Sequence, residues 1–542
     1  FVNDADQDVY RGGIERSSPA SAITRLTNLP ATRFADFTSD ARRSRLIGVG
    51  ETHDEAEAKL PKNALWQIPT GDPEQEAKAL FCEHDFYASP RVSPDGNHAA
   101  FLAWNLPHMP WDAAQLFVAG IGRDGALDRP VRIAGGEGSA CFQPEWGEDG
   151  ALYFVWDRDG LGNLFRWRED DGIGQITRLD ADLSMPLWNF HAASYAILPG
   201  NRAYLSFVRV GEAGSAILDL ISGALQPNEN GLTTILTLAA GEGGAALSGL
   251  SDREPLHLSI DSVSGNRRVV RQSSAAAIEE GYVSPPRRIE IPGKSGPVYG
   301  LLHEPRNPAA AGPSGRPPPL IVNLHGGPTA AAGRGLKPRI LFFTSRGFSW
   351  LDLDYSGSTG YGRAYRDRLK GKWGVADVED TISAAEFAAS EGLANPRAIF
   401  ATGGSAGGYT VLMAIAASAV FRGAASYYGI CDLIALQKTT HKFEHGYQSA
   451  LLGGTLEENE ELYRQRSAIA HVERIKTPLI LFQGAEDKVV PRSQSMAIAE
   501  ALRERGVAVE YYEFEGEGHG FRRAETIIAC LERELAFYRS LL

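Results

Sequence analysis

Cysteine is scarce. The chain has four in 542 residues, Cys82, Cys141, Cys431 and Cys530, and none stands in a C-x-x-C pair. That spacing argues against a zinc knuckle or a disulfide framework and for mostly buried thiols, with a lean toward the cytoplasm. Long hydrophobic runs are missing as well. No stretch approaches 18 uninterrupted apolar residues, so no membrane span is expected. Nor is there an excess of basic residues: the net charge is −13, against nucleic acid or an anionic membrane as the main partner. The opening stretch FVNDADQDVYRGG has neither Met nor a signal-like apolar run, which points to a start downstream of the true N-terminus. With 43% hydrophobic and 22% charged residues the composition is that of a globular protein, and 542 residues exceed one ordinary core.

The two halves of the chain follow different patterns. Up to about residue 280, short apolar segments alternate with Gly/Asp turns. Taking Leu65, Leu116, Leu164, Ile217 and Leu256 as anchors, the spacings are 51, 48, 53 and 39 residues. A second strand pair lies between anchors, as in RVSPDGNHAAFLAW, PEWGEDGALYFVWD and AILPGNRAYLSFVR. Repeats of this length built from several short strands predict propeller blades. DVYRGGIERSSPASAITRLT reads as a sixth, partial unit, so a seven-bladed propeller with an incomplete first blade is expected over residues 1–281. An irregular β-sandwich is the alternative. From 282 to 542, apolar runs such as PPLIVNLHGG, PRAIFATGGS and TPLILFQGAED alternate with helix-length amphipathic stretches. That alternation predicts a doubly wound, mostly parallel sheet.

Functional residues of such a sheet collect at the carboxyl ends of its strands. FATGGSAGGYTVLM places Ser405 between a predicted strand and helix, with Gly403 and Gly407 completing G-x-S-x-G. The glycines leave room for the sharp turn and the close strand–helix crossing that expose a nucleophilic serine. Asp487 follows a strand 82 residues on, and His519 follows the next strand after 32 more. The order Ser, Asp, His is that of an α/β-hydrolase, with His519 as base and Asp487 as its orienter. Glu486 is the competing carboxylate; Asp487 is preferred because it closes the G-x-x-D turn. The loop His325-Gly326-Gly327-Pro328 and the N–H of Ala406 are the expected oxyanion donors. HKFEH at 441–445 also fits the inverted zinc-peptidase pattern H-x-x-E-H. A metal reading would leave the serine site unexplained, so His441 and Glu444 are assigned to structure or to the substrate cleft. No metal and no cofactor are expected.

Together HGGP, DYSGSTGYGRAYRDRLKGKWGVADVED, GGSAGGYT, THKFEHGYQ, QGAEDKVVP and EGEGHGFR resemble the acylaminoacyl-peptidase and dipeptidyl-aminopeptidase branch of the prolyl oligopeptidase family. In the first half the likeness is looser and includes LAWNLPHMPWD. The resemblance implies a serine peptidase whose propeller caps the site and admits short peptides. It assigns Ser405, Asp487 and His519 as the triad and the N–H groups of Gly327 and Ala406 as oxyanion donors. His325 stands where other branches carry a tyrosine donor, which favours the acylaminoacyl branch. The chain departs from the family pattern at Asp354 and Ser356, and at Val489, where several relatives have an arginine. Tyr355, Tyr409, His441, Glu444, Lys488 and Arg492 are the candidate cleft residues. The expected function is hydrolysis of short peptides or N-terminal (acyl)aminoacyl amides. An esterase or small-amide hydrolase with the same triad and a non-catalytic propeller scaffold are the alternatives. A homo-oligomer is compatible with the sequence.

Overall fold

A computed structural model describes residues 1–13, 23–53, 60–71, 76–241, 243–276 and 278–542. The middle of the expected sixth unit, residues 14–22, lies outside them; its flanks pair as a two-stranded sheet, Tyr10–Arg11 with Thr24–Arg25.

The N-terminal part is built from separate four-stranded antiparallel sheets. Five are described, beginning at Thr32–Asp40, Phe86–Val92, Cys141–Trp146, Tyr195–Leu198 and Thr234–Gly241. In each, consecutive strands are hydrogen-bonded neighbours. The anchors Leu65, Leu116, Leu164 and Ile217 all lie on third strands and are buried. Leu256 does not follow suit. It is 37% exposed just ahead of the third strand His257–Ser262, whose buried positions are polar: His257, Ser259 and Asp261. A hydrophobic anchor fails where a sheet buries polar residues instead.

A bulge recurs on the first strand of the first three sheets, with Asp36, Ser89 and Gln143 at positive φ. Two of these side chains reach the next sheet. Asp36 Oδ2 accepts from Ser89 N at 2.6 Å, and Gln143 Oε1 accepts from Ser194 N at 2.8 Å. Bulges aim side chains off the regular ladder, and here they stitch one sheet to its successor.

The C-terminal part is one eight-stranded sheet. Its strands are β1 (Arg287–Ile291), β2 (Val298–His303), β3 (Leu320–Leu324), β4 (Ser349–Asp354), β5 (Ile399–Gly404), β6 (Gly423–Tyr427), β7 (Leu479–Gly484) and β8 (Val509–Phe514), in spatial order 1-2-4-3-5-6-7-8. From β4 onward across the sheet all pairings are parallel; β1 and β2 are antiparallel. Because successive side chains in a strand point to opposite faces, the apolar runs divide between two cores. Val322, Leu351, Leu353 and Leu481 pack under helices α2 (Ala376–Ser390), α3 (Ala406–Ala417) and α4 (Ser493–Glu504). Ile321, Trp350, Phe400 and Phe482 pack under α1 (Pro338–Thr344) and α5 (Ala524–Ser540). The four cysteines are free, and only Cys82 is exposed. Among the described residues no helix is long and apolar enough to cross a membrane.

Helix α5 is tied to the sheet by a buried ion pair. Glu534 accepts from Arg339 at 2.8 Å, Tyr427 Oη at 2.7 Å and Tyr538 Oη at 2.9 Å. Arg339 keeps 30% of its side-chain surface, Glu534 none. Glu534→Ala therefore leaves a mostly buried guanidinium unpaired, with an expected loss of about 3 kcal/mol. Chemical denaturation measures it, and a change below about 1 kcal/mol would show that solvent rescues Arg339.

Candidate active site

Ser405 sits where β5 turns into α3, with φ 55° and ψ −123°. Few non-glycine residues adopt such a conformation, and its strain of about 1–3 kcal/mol has to be held by the surroundings. The flanking glycines explain how. A Cβ on Gly407 would come within 2.2 Å of Leu324 O, and one on Gly403 within 2.6 Å of Gly407 C. The start of α3 thus lies directly on the end of β3, and only hydrogen fits between them.

Gly326 follows β3 on the neighbouring loop. A Cβ there would lie 3.2 Å from Gly404 O and 3.4 Å from Ser405 Cβ, so this loop runs alongside the serine. Gly327 has φ 119°. Among the described residues the N–H groups of Gly327 and Ala406 donate to no acceptor. His325 props the loop from behind: its Nε2 is 2.7 Å from Ser358 Oγ, its Nδ1 2.8 Å from Gly326 O, and its ring stacks on Tyr355 at 4.3 Å. Burial holds its imidazole below the ordinary range, hence neutral.

The other two residues of the expected triad meet across the ends of β7 and β8. His519 Nδ1 lies 2.8 Å from Asp487 Oδ2. Asp487 is buried, and its Oδ1 accepts from the N–H groups of Val489 and Val490, each at 2.9 Å. Val489 thus serves through its backbone. Glu486 is exposed, and its N–H holds Glu517 O at 3.0 Å. The loop of His519 is held further by Glu517, whose buried carboxylate accepts from Arg522 N and Arg523 N at 2.9 and 3.0 Å.

Two of the expected cleft residues do not line a cleft. Tyr355 and Tyr409 are fully buried, their hydroxyls on His325 O and Arg466 O, both at 2.8 Å. Aromatic rings beside the motif serve packing here, because the tight β5–α3 crossing needs filling around it. Arg492 is exposed and pairs with Glu513 on β8 at 2.9 Å, and Lys488 is exposed. HKFEH forms a single 3₁₀ turn over Lys442–Glu444, not the α-helix that would put both histidines on one face. Among the described residues no group of three His, Cys, Asp or Glu could hold a metal. His441 and Glu444 pair at 3.6 Å.

Other contributors escaped the sequence. Trp188, from the N-terminal part, donates through Nε1 to Thr329 O at 2.7 Å and so braces the glycine loop. It packs on Trp111 at 4.7 Å and Tyr447 at 5.6 Å, an aromatic wall shared by both halves. Tyr428 sets its ring edge-on to His519 at 4.8 Å. A lone tryptophan in SMPLWNF carries no local signal for such a task; only the docking of the two halves brings it to the loop.

Beneath the serine, Asp377 of α2 accepts from Gly374 N at 2.7 Å and Thr410 Oγ1 at 2.6 Å. Burial pushes its carboxyl up to about 6 from 3.8. The folded state therefore binds the proton more tightly, and stability falls as pH rises from about 4 through 6. Asp377→Asn removes the titration. Its amide can donate to Thr410 Oγ1, whose own proton can turn to Ala406 O at 3.1 Å. The variant should gain in Tm relative to the parent between pH 4.5 and 7; a pH-independent difference contradicts this.

Residues 335–542 match the model of the prolyl oligopeptidase family. A puromycin-hydrolyzing peptidase of Mycobacterium tuberculosis superposes with a TM-score of 0.94 at 34% identity, over all of this chain and 84% of that one. Among curated proteins, dipeptidyl peptidase family member 6 of Caenorhabditis elegans is 32% identical over 216 residues, 39% of this chain. The acylamino-acid-releasing enzyme of Arabidopsis thaliana is 33% identical over 220 residues, also 39% of this chain. Each of these two matches spans 29% of the curated relative's length. With the whole chain superposing on one relative at 34% identity and residues 335–542 matching the family model, the protein belongs to the prolyl oligopeptidase family.

Proposed function

We propose that the protein is a serine peptidase that hydrolyses short peptides or N-terminal (acyl)aminoacyl amides through an acyl-enzyme. Ser405 Oγ attacks the scissile carbonyl while His519 Nε2 takes its proton. Asp487 holds the Nδ1 proton of His519, which fixes the tautomer and stabilises the imidazolium. The carbonyl oxygen becomes an oxyanion beside the N–H groups of Gly327 and Ala406, where the start of α3 adds a favourable dipole. His519 then returns the proton to the leaving amine, and water hydrolyses the ester on Ser405 by the same steps. Two observations carry this reading: a serine held at φ 55° at the strand-to-helix turn, and a histidine whose Nδ1 is bound to a buried, doubly backbone-anchored aspartate.

The N-terminal sheets are read as propeller blades, seven in the complete ring, over residues 1–281, with the hydrolase unit over 282–542. Three observations support this: the meander within each sheet, the Asp36 and Gln143 stitches between first strands, and the gap between the last four-stranded sheet at Gln272 and β1 at Arg287. The propeller would then limit access to short or unstructured chains. The relative of known structure is named for hydrolysing puromycin, and a small amide is the substrate class proposed here. A panel of aminoacyl, dipeptidyl and N-acyl-aminoacyl amides beside simple esters tests the reading. Amide turnover supports it, and turnover of esters alone replaces it with the esterase reading.

A further inference from the structure

Tyr428 follows the carboxyl end of β6, the strand between β5, which leads into Ser405, and β7, which leads into Asp487. The peptide before it is tied to both neighbours: Ser405 N donates to Tyr427 O at 3.0 Å, and Tyr428 N donates to Phe482 O at 2.7 Å. Its φ is 40°, a value bulky residues rarely adopt, while Gly429, next in the chain, is not at positive φ. A backbone that places its strain on a tyrosine beside an available glycine aims that side chain. The ring meets His519 edge-on at 4.8 Å and 60°, and Phe521 backs it at 5.4 Å and 86°. Its far end reaches the elbow, where a Cβ on Gly404 would lie 3.1 Å from Tyr428 Cε2 and 3.2 Å from Oη. The ring therefore stands between the residue before the serine and the imidazole.

We propose that Tyr428 is a positioning residue for the reaction: its ring, set by the strained backbone and backed by Phe521, keeps the His519 imidazole turned toward Ser405. The proposal rests on the serine-peptidase reading above. His519 needs such a support. It stands between Gly518 and Gly520, whose backbone restrains little by itself, and its hydrogen bond to Asp487 fixes Nδ1 alone. A ring held at one atom can still pivot about that bond, and a shift of about 1 Å in such a site can cost about 10²-fold in rate. An aromatic wall stops the pivot without competing for either nitrogen, which leaves Nδ1 to Asp487 and Nε2 to the serine. Burial holds the Tyr428 phenol above its ordinary range, so it stays uncharged beside the imidazole in both protonation states of His519. The ring does the positioning, and the hydroxyl is dispensable.

The test measures kcat and KM for an aminoacyl 4-nitroanilide, and the rate of labelling by a fluorophosphonate, in wild type, Tyr428→Leu, Tyr428→Phe and Ser405→Ala. Tyr428→Leu keeps apolar bulk without the flat ring. It should lower kcat and the labelling rate together by at least about tenfold, with KM within about twofold of wild type. Tyr428→Phe should stay within about threefold of wild type in all three. Should Tyr428→Leu fail to fold, Phe521→Leu, which removes the backing of the ring, should lower kcat and labelling in the same way. The proposal is overturned by a kcat for Tyr428→Leu within about threefold of wild type. An equal loss in Tyr428→Phe, or a loss carried by KM with labelling unchanged, overturns it too: the first would make the hydroxyl responsible, the second a wall for substrate. Ser405→Ala separates the two readings. If it is not labelled while Tyr428→Leu reacts as wild type, only the positioning role fails. If it is labelled as fast as wild type and keeps turnover, the serine-peptidase reading itself fails.

Discussion

Ser405→Ala is expected to lower kcat for amide substrates by about 10⁴- to 10⁶-fold while the protein stays folded. Thr410, on the same helix, is buried and donates its hydroxyl to Asp377, so it does not replace the lost nucleophile. What remains would be the contribution of binding and of the oxyanion donors alone. A second substitution separates chemistry from backbone strain. Alanine keeps a Cβ at φ 55° and ψ −123°, whereas glycine is at ease there. Ser405→Gly should therefore be as inactive as Ser405→Ala yet more stable than it by about 1 kcal/mol. Denaturant midpoints of the two inactive variants measure this. Equal midpoints would show the elbow to be unstrained, and residual turnover within tenfold of wild type would remove Ser405 from the mechanism.

Asp487→Asn should cost about 10⁴-fold in kcat with almost no change in stability. The asparagine oxygen can keep both N–H bonds from Val489 and Val490, since these converge on Oδ1 alone. Its Nδ2 then takes the place of Oδ2, 2.8 Å from His519 Nδ1. A donor facing Nδ1 forces the imidazole proton onto Nε2, the nitrogen that must accept from the serine. The histidine stays in place with the wrong tautomer. Asp487→Ala would differ in kind, leaving the Val489 and Val490 N–H groups without an acceptor and lowering Tm as well. Comparable kcat in wild type and Asp487→Asn would show that Asp487 does not set the tautomer, and Glu486 would need testing in its place.

Much of this architecture can be read from the chain. The alternation of apolar runs and helices in the second half announces a parallel sheet because each strand is buried on both faces. The structure divides those runs residue by residue between two helical layers. The elbow is legible because glycine is the only residue that fits where α3 meets β3, so the steric requirement is written in the letters themselves. In the first half the hairpin turns and third-strand anchors show for the same reason, until Leu256. There the buried face becomes polar, and hydrophobic spacing carries no information.

The cleft was not legible. Tyr355 and Tyr409 stand beside the motifs in sequence yet point into the core, and Arg492 turns to Glu513. Trp188 is more than 200 residues from the serine and braces the loop beside it. Local sequence determined the strand-turn-helix elbow, the order of Ser405, Asp487 and His519, and the two-part organisation, because backbone sterics and side-chain period act within a few residues. Which side chains wall the cleft was decided only when the sheets of the first half docked on the second. That docking depends on contacts such as Lys442 with Asn63, between residues far apart in the chain. No pattern within either segment encodes it.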